Sequence, residues 1–413
     1  MIIVLLAVPI SEALGGASTL PALLVVSVSL ILAPYMAVFR GYHQGFGNMK
    51  PTAVSQVLEQ MVRISVILLT AIFAVRLGWN PDATAGLIMT GSILGVVVSY
   101  LYLRRQFRRT VRDTRQAPPY THRDLKGWSR RILKVSLPIA FGTLTIPLLQ
   151  FVDSLTVPAG LLARDPNADT DELFGIYGRG MSLIQISTVF ATAVIYPLIP
   201  SVAEKKSSGD TGELQEDINA SDRWNHLISW PIAMIFAVLA LPLNIALFTD
   251  DTGTAVISIL GISSVFISFT VITTGILQGL DRGKTAALVI LAAVTFKIIA
   301  NLWFVPDFGL IGAATINVFT FFFIYAGNVI MLNRFFRIRL LPAKFLWILG
   351  SALISGICIG MPLFFFEVGA WPRLSVFLYA ASSASLGIIL YIASLLLGKV
   401  IKPKELLSLL KRS

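Results

Sequence analysis

Apolar stretches of about 20 residues recur along the whole chain, and that is the length of a helix that spans a bilayer. Twelve can be marked: 1–14, 19–39, 52–77, 82–103, 133–160, 174–203, 224–248, 254–280, 284–305, 308–333, 341–366 and 372–398. The first is short. None alternates in polarity at every second residue, which argues against the strands of a membrane barrel. Helices satisfy their backbone polar groups within the segment, as a lipid surrounding requires. The pattern therefore predicts an all-α polytopic membrane protein with about twelve transmembrane helices. One region breaks it. Gln56, Glu59, Gln60 and Arg63 fall at helical spacing on an otherwise apolar helix. A polar stripe of this kind faces protein or water rather than lipid.

Composition supports the reading: 413 residues are 55% hydrophobic and 13% charged, with a mean hydropathy of +0.79. The net charge of +11 is unevenly placed. Eleven Lys and Arg crowd the loop 104–134, four lie in 334–344, and five lie in the tail 399–413. Counting helices puts these on one side, and the neutral or acidic turns "ARDPNADTDE", "TDD" and "VPDFG" on the other. The positive-inside rule makes the basic side cytoplasmic, with the C-terminus there, in a multi-pass plasma-membrane protein. Anionic membrane lipids are expected partners of the basic loops. Nucleic acid is not, because no soluble domain is present to carry it. Three His and the single Cys358 form no metal-ligand pattern and no disulfide framework. There is no Walker motif, and "ARDPNADTDE" is a poor acidic site for a membrane glycosyltransferase. No enzyme and no cofactor are expected.

The chain repeats itself. At a constant offset of 234, Gly41, Gln44, Gly45, Lys50, Ala53 and Arg63 match Gly275, Gln278, Gly279, Lys284, Ala287 and Lys297. Both copies run the same way, so the halves are parallel repeats, a plan common among transporters. The second half opens with three helices before its copy of the motif. At the same offset the counterparts of the first two fall before residue 1, so the first half is expected to lack two helices. The predicted organisation is a truncated N-lobe (1–103), a basic cytoplasmic linker (104–132), a C-lobe (133–333), two additional helices (334–398) and a basic cytoplasmic tail (399–413).

The stretch "FRGYHQGFGNMKPTAVSQVLEQMVR" (39–63) resembles the signature of the stage V sporulation protein B group of polysaccharide biosynthesis proteins. These belong with MurJ-like lipid II flippases in the MATE-like superfamily. Stretches 136–158, 175–204, 275–284 and 299–317 are similar to it too, in order along nearly the whole chain. The resemblance implies a MATE-like fold of two six-helix lobes, fourteen helices when complete, with a central cavity and alternating access. It also implies outward movement of an undecaprenyl-diphosphate-linked precursor, a lipid-linked oligosaccharide, by a monomer. A cation-coupled MATE-type exporter and a truncated, non-transporting scaffold are the alternatives. Coupling to membrane potential, Na+ or H+ is left open.

A diphosphate crossing a low-dielectric region needs cations, and charges near the bilayer centre face a cavity or one another. Arg63 lies about 16 Å into its helix at 1.5 Å per residue, near the midplane. Glu59, four residues earlier, is placed to pair with it. Lys297 sits at the same depth in the second copy, with Ala293 where Glu59 would be. It is expected to be a free cavity cation. The resemblance implies a cargo role for Arg179 in "YGRG", while pairing with Asp153 is its structural alternative. Asp153 is a candidate coupling-ion site. Gln56, Gln150, Gln185, Asn301 and Asn317 are read as cavity lining or interhelical hydrogen bonds. The G-x-x-x-G of each copy is expected to serve close packing or the turn, and prolines such as Pro34, Pro158 and Pro242 to shape the helices.

Overall fold

The computed structural model of the chain describes residues 6–13, 19–111, 122–336 and 344–402. The chain divides into two compact units, Met1–Gly127 and Trp128–Ser413. The division falls within the basic stretch 104–132. Residues 112–121 of that stretch, 337–343 and the tail from 403 onward lie outside the described residues.

The first unit contains α1 (Ala7–Ala13), α2 (Leu20–Ser29), α3 (Ala33–Gly45), α4 (Lys50–Leu77) and α5 (Pro81–Val111). The apolar run 19–39 is thus interrupted between α2 and α3. Pro34 has no N–H to give the Leu30 carbonyl, which explains the turn at that point. α4 ends on Gly78 in the left-handed region, at φ 63°. α5 lies close against the part of α4 that carries the polar stripe. A Cβ on Gly95 would sit 2.6 Å from the Glu59 carbonyl oxygen, and one on Gly91 2.8 Å from that of Arg63.

The division cuts α6 (His122–Thr143), and the second unit holds it from Trp128 onward together with α7 (Thr145–Arg164), α8 (Thr170–Ser208), α9 (Thr211–Val238), α10 (Ala240–Phe248), α11 (Thr254–Gly279), α12 (Gly283–Leu332), α13 (Phe345–Gly360) and α14 (Arg373–Leu397). The run 133–160 is broken at Leu144, between α6 and α7. α9 and α10 meet at a bend of 69°, where Pro242 removes the donor that would bond the Val238 carbonyl. α11 is the central helix of this unit. Val265, Phe269 and Ile272 pack with residues of α8 and α9, and Leu260 and Ile267 with α7 and α12.

The 50-residue α12 is two spans. Gly309, at φ 60° and ψ −141°, is non-helical, and this conformation is open chiefly to glycine. The chain folds back there. Phe296 stacks on Phe323 with centroids 5.7 Å apart, and a Cβ on Gly327 would lie 2.8 Å from Val289 Cγ1. Arg164 at the end of α7 donates to the carbonyls of Pro306 and Asp307 beside this turn.

Among the described residues, eight helices are long and apolar enough to cross a membrane, nine if α9 and α10 count as one broken span. The chain is an all-α polytopic membrane protein. The glycine motif differs between its two copies. Cβ atoms at Gly275 and Gly279 would lie 2.2 Å from Ile195 and 2.9 Å from Val202, so these glycines let α11 approach α8. Gly41 and Gly45 have nothing within 4 Å of that position, and Gly45 closes α3 just before the turn at Gly47, so of the two expectations, close packing or the turn, the first copy fits the turn.

Candidate functional site: two charge networks

In the second unit a polar network ties four apolar helices together. Lys297 of α12 is fully buried, and its Nζ donates to Asp153 Oδ2 of α7 at 2.7 Å and to Asn317 Oδ1 at 2.9 Å. Asp153 also accepts from the Tyr177 hydroxyl of α8 at 3.0 Å and from Asn301 Nδ2 at 3.0 Å. Asn301 Nδ2 further donates to Thr156 Oγ1 at 2.8 Å, and Asn317 Nδ2 to Ser263 Oγ of α11 at 3.2 Å. A lone charge in such a place would be costly, but one carboxylate and one ammonium with further hydrogen bonds cancel most of that cost.

Two expectations are corrected here. Lys297 is not a free cavity cation: its carboxylate partner comes from another helix, 144 residues away in sequence. Asp153 lies near the middle of α7 and pairs with Lys297 rather than with Arg179. Asn301 and Asn317 are interhelical bridges. Gln150 is half-buried and does not join the network, and Gln185 is exposed.

The corresponding position in the first unit is built differently. Arg63 Nη2 donates to Glu59 Oε1 at 2.9 Å, the expected i, i+4 pair. Glu59 Oε2 accepts from Arg40 Nη2 of α3, also at 2.9 Å. Arg40 reaches Ser55 and Ser99 as well, at 3.2 and 3.1 Å. Two guanidinium groups thus share one carboxylate, and the cluster keeps one net positive charge. The Arg63 side chain retains 30% exposure, and Arg40 21%. Gln56 and Gln60 of the predicted stripe are exposed and stand outside the cluster.

Arg179 sits near the start of α8. Its Nη1 donates to Asp250 Oδ2 at 2.8 Å, and its guanidinium carbon lies 5.3 Å from the Phe248 ring centroid. Asp250 follows α10. The Thr252 hydroxyl, the Thr252 N–H and then Arg179 hold its carboxyl well below the usual carboxylate range. Arg179 keeps 29% side-chain exposure.

A cavity of about 170 Å³ opens beside the break between α6 and α7. Thr143, Thr145, Thr192, Thr270, Thr274 and Gln278 supply its polar lining. At about 30 Å³ each it has room for five or six waters.

Sequence reasoning missed Arg40, Asp250, Tyr177 and Thr156 as partners. Within one helix, spacing reveals partners, as it did for Glu59 and Arg63. Between helices the chain carries no such signal, and Asp250 reads as one more acid in an exposed turn.

The first half of the chain, residues 1–204, matches a family model described as polysaccharide biosynthesis protein. The uncharacterized membrane protein YabM of Bacillus subtilis (strain 168) is 26% identical over 396 residues, 95% of this chain and 72% of the relative. Lipid II flippase MurJ of the same organism is 25% identical over 288 residues, 67% of this chain and 53% of the relative. Its stage V sporulation protein B is 28% identical over 201 residues, 45% of this chain and 36% of the relative. Among solved structures, a lipid II flippase MurJ in an inward closed conformation matches with a TM-score of 0.65 at 13% identity, over 95% of this chain and 80% of that one. An inward-facing multidrug resistance MATE family transporter matches with a TM-score of 0.59 at 14% identity, over 77% and 72%. At these identities the structural likeness is one of fold.

The fold is thus the one shared by a lipid II flippase and a MATE family transporter. Within it, the chain is similar to polysaccharide biosynthesis proteins, with a lipid II flippase MurJ and a stage V sporulation protein B among its relatives.

Proposed function

We propose that the chain moves an undecaprenyl-diphosphate-linked cell-wall or polysaccharide precursor, lipid II-like, from the inner to the outer leaflet by alternating access. In this reading it works as a monomer in the plasma membrane, with its basic loops and C-terminus cytoplasmic. The observation that carries the proposal is the Arg40–Glu59–Arg63 cluster. Arg63 lies 13 residues into α4, about 20 Å along a 28-residue helix. Two cations against one anion leave positive charge there, with part of Arg63 accessible. A diphosphate headgroup passing through a wet path needs such a charge. Arg179 supplies a second accessible cation, held ready by Asp250 rather than locked in a buried pair.

The alternative of an exporter of organic cations calls for unneutralised carboxylates within the membrane helices. Glu59 carries two arginines and Asp153 carries Lys297, which favours an anionic cargo.

The test is transfer of a fluorescent lipid-linked diphosphate saccharide across vesicles containing the reconstituted chain. Arg63→Gln and Arg40→Gln should each slow transfer at least tenfold, equivalent to about 1.4 kcal/mol, with normal membrane levels. Arg179→Ala should do the same. Wild-type rates in Arg63→Gln and Arg40→Gln together would refute the reading, as would transfer of an uncharged lipid-linked sugar at the same rate.

A further inference from the structure

We propose that the Lys297 ammonium is the resident cation of the Asp153 site. It occupies, as a tethered substitute, an oxygen-lined pocket suited to a small monovalent cation, so this chain takes up no mobile coupling ion there. The inference does not depend on the identity of the cargo.

The donor set carries the argument. Nζ is held by Asp153 Oδ2 and Asn317 Oδ1. Asn301 follows Lys297 by one helical turn and touches the same carboxylate through its Nδ2. Its own Oδ1 is buried without a hydrogen-bond partner. Thr156 Oγ1 accepts from the same Nδ2. Vacating the lysine leaves a buried carboxylate and the Asn317 amide oxygen facing the freed space, both hard oxygen donors of the kind that bind alkali and alkaline-earth cations. One negative charge suits a monovalent cation. A divalent one would be left short of charge, since no cluster of three acidic or other metal-ligating residues exists among the described residues.

The tether is short. Lys297 lies 14 residues from the start of α12 and 12 from its turn at Gly309, about 21 and 18 Å along the helix. Both distances exceed the reach of a lysine side chain, so the ammonium cannot snorkel to either surface. It stays with Asp153 unless α7 and α12 part. An ammonium and a small metal ion also cannot share the space between the same two oxygens. Occupancy by Lys297 therefore excludes a mobile ion, and the charge of the site stays fixed through a transport cycle.

The test uses the purified full chain in detergent. Thermal unfolding is followed in NaCl, LiCl, KCl or N-methylglucamine chloride at equal ionic strength. Wild-type Tm should agree within about 1 °C across the four, since nothing binds. Lys297→Ala should be less stable in N-methylglucamine and should regain at least about 3 °C in Na+ or Li+ as the emptied site fills. Adding Asp153→Asn to Lys297→Ala should abolish that gain. A specific Na+ or Li+ stabilisation of the wild type that Asp153→Asn removes would overturn the proposal. So would a Lys297→Ala protein indifferent to all three metal ions, or an equal gain in the double variant. Lys297→Ser, which places an oxygen in the vacated space, repeats the test if the alanine variant does not fold. Failure of both to fold even when prepared in Na+ or Li+ counts against the proposal.

Discussion

Removing both charges of the Asp153–Lys297 pair should cost clearly less than the sum of removing each alone. The side chains are 2% and 0% exposed, so solvent screening cannot soften the loss of a partner. Asp153→Asn leaves a buried ammonium with neutral acceptors, and a cost of about 3–5 kcal/mol is expected. Lys297→Met leaves the carboxylate with two donors, Tyr177 and Asn301. Its cost should be smaller, about 2–3 kcal/mol. The double variant carries neither charge and keeps similar volumes. Its total cost should fall below the sum of the single costs by at least about 2 kcal/mol. Denaturant unfolding in mixed micelles measures all four corners of this cycle. Additivity within about 0.5 kcal/mol would mean that the two groups do not depend on one another, and the network described for α7 and α12 would not exist in solution.

Three other measurements bear on separate parts of the structure. Gly275→Ala should destabilise by about 1–3 kcal/mol because its Cβ meets Ile195. Its repeat mate Gly41→Ala should be neutral or stabilising by up to about 1 kcal/mol. The same unfolding assay separates them, and equal losses would contradict the packing. Because the carboxyl of Asp250 is held low, its contribution should be fully present above the ordinary value near pH 3.9 and vanish only as pH falls through the lower folded value. Wild type and Asp250→Asn should therefore differ by a constant amount from neutrality down to about pH 4.5 and converge only at lower pH. Convergence already near pH 6 would contradict the assignment. For orientation, Cys at Ser129 and Asn167 in a Cys358→Ala background should react with an impermeant thiol reagent on intact cells only at 167, and labelling at 129 alone would invert the topology.

The periodicity of apolar runs determined the class of protein, because burying backbone polar groups in lipid leaves a chain few options. It marked twelve runs where eight or nine helices among the described residues are long and apolar enough to span, and it did not show the breaks between α2 and α3, at Leu144 and at Leu239. Spacing along one helix determined the Glu59–Arg63 pair, since residues four apart share a face whatever surrounds them. The tertiary structure decided everything that depends on which helices touch. Lys297 and Arg63 occupy equivalent positions in the repeat, and from sequence Lys297 is the one without a partner. The fold reverses this. α7 brings Asp153 to Lys297 and seals the pair, while α3 brings a second arginine to Glu59 and leaves the Arg63 cluster with surplus charge. A carboxylate can neutralise a cation from any distance along the chain, because Coulomb attraction depends on separation in space.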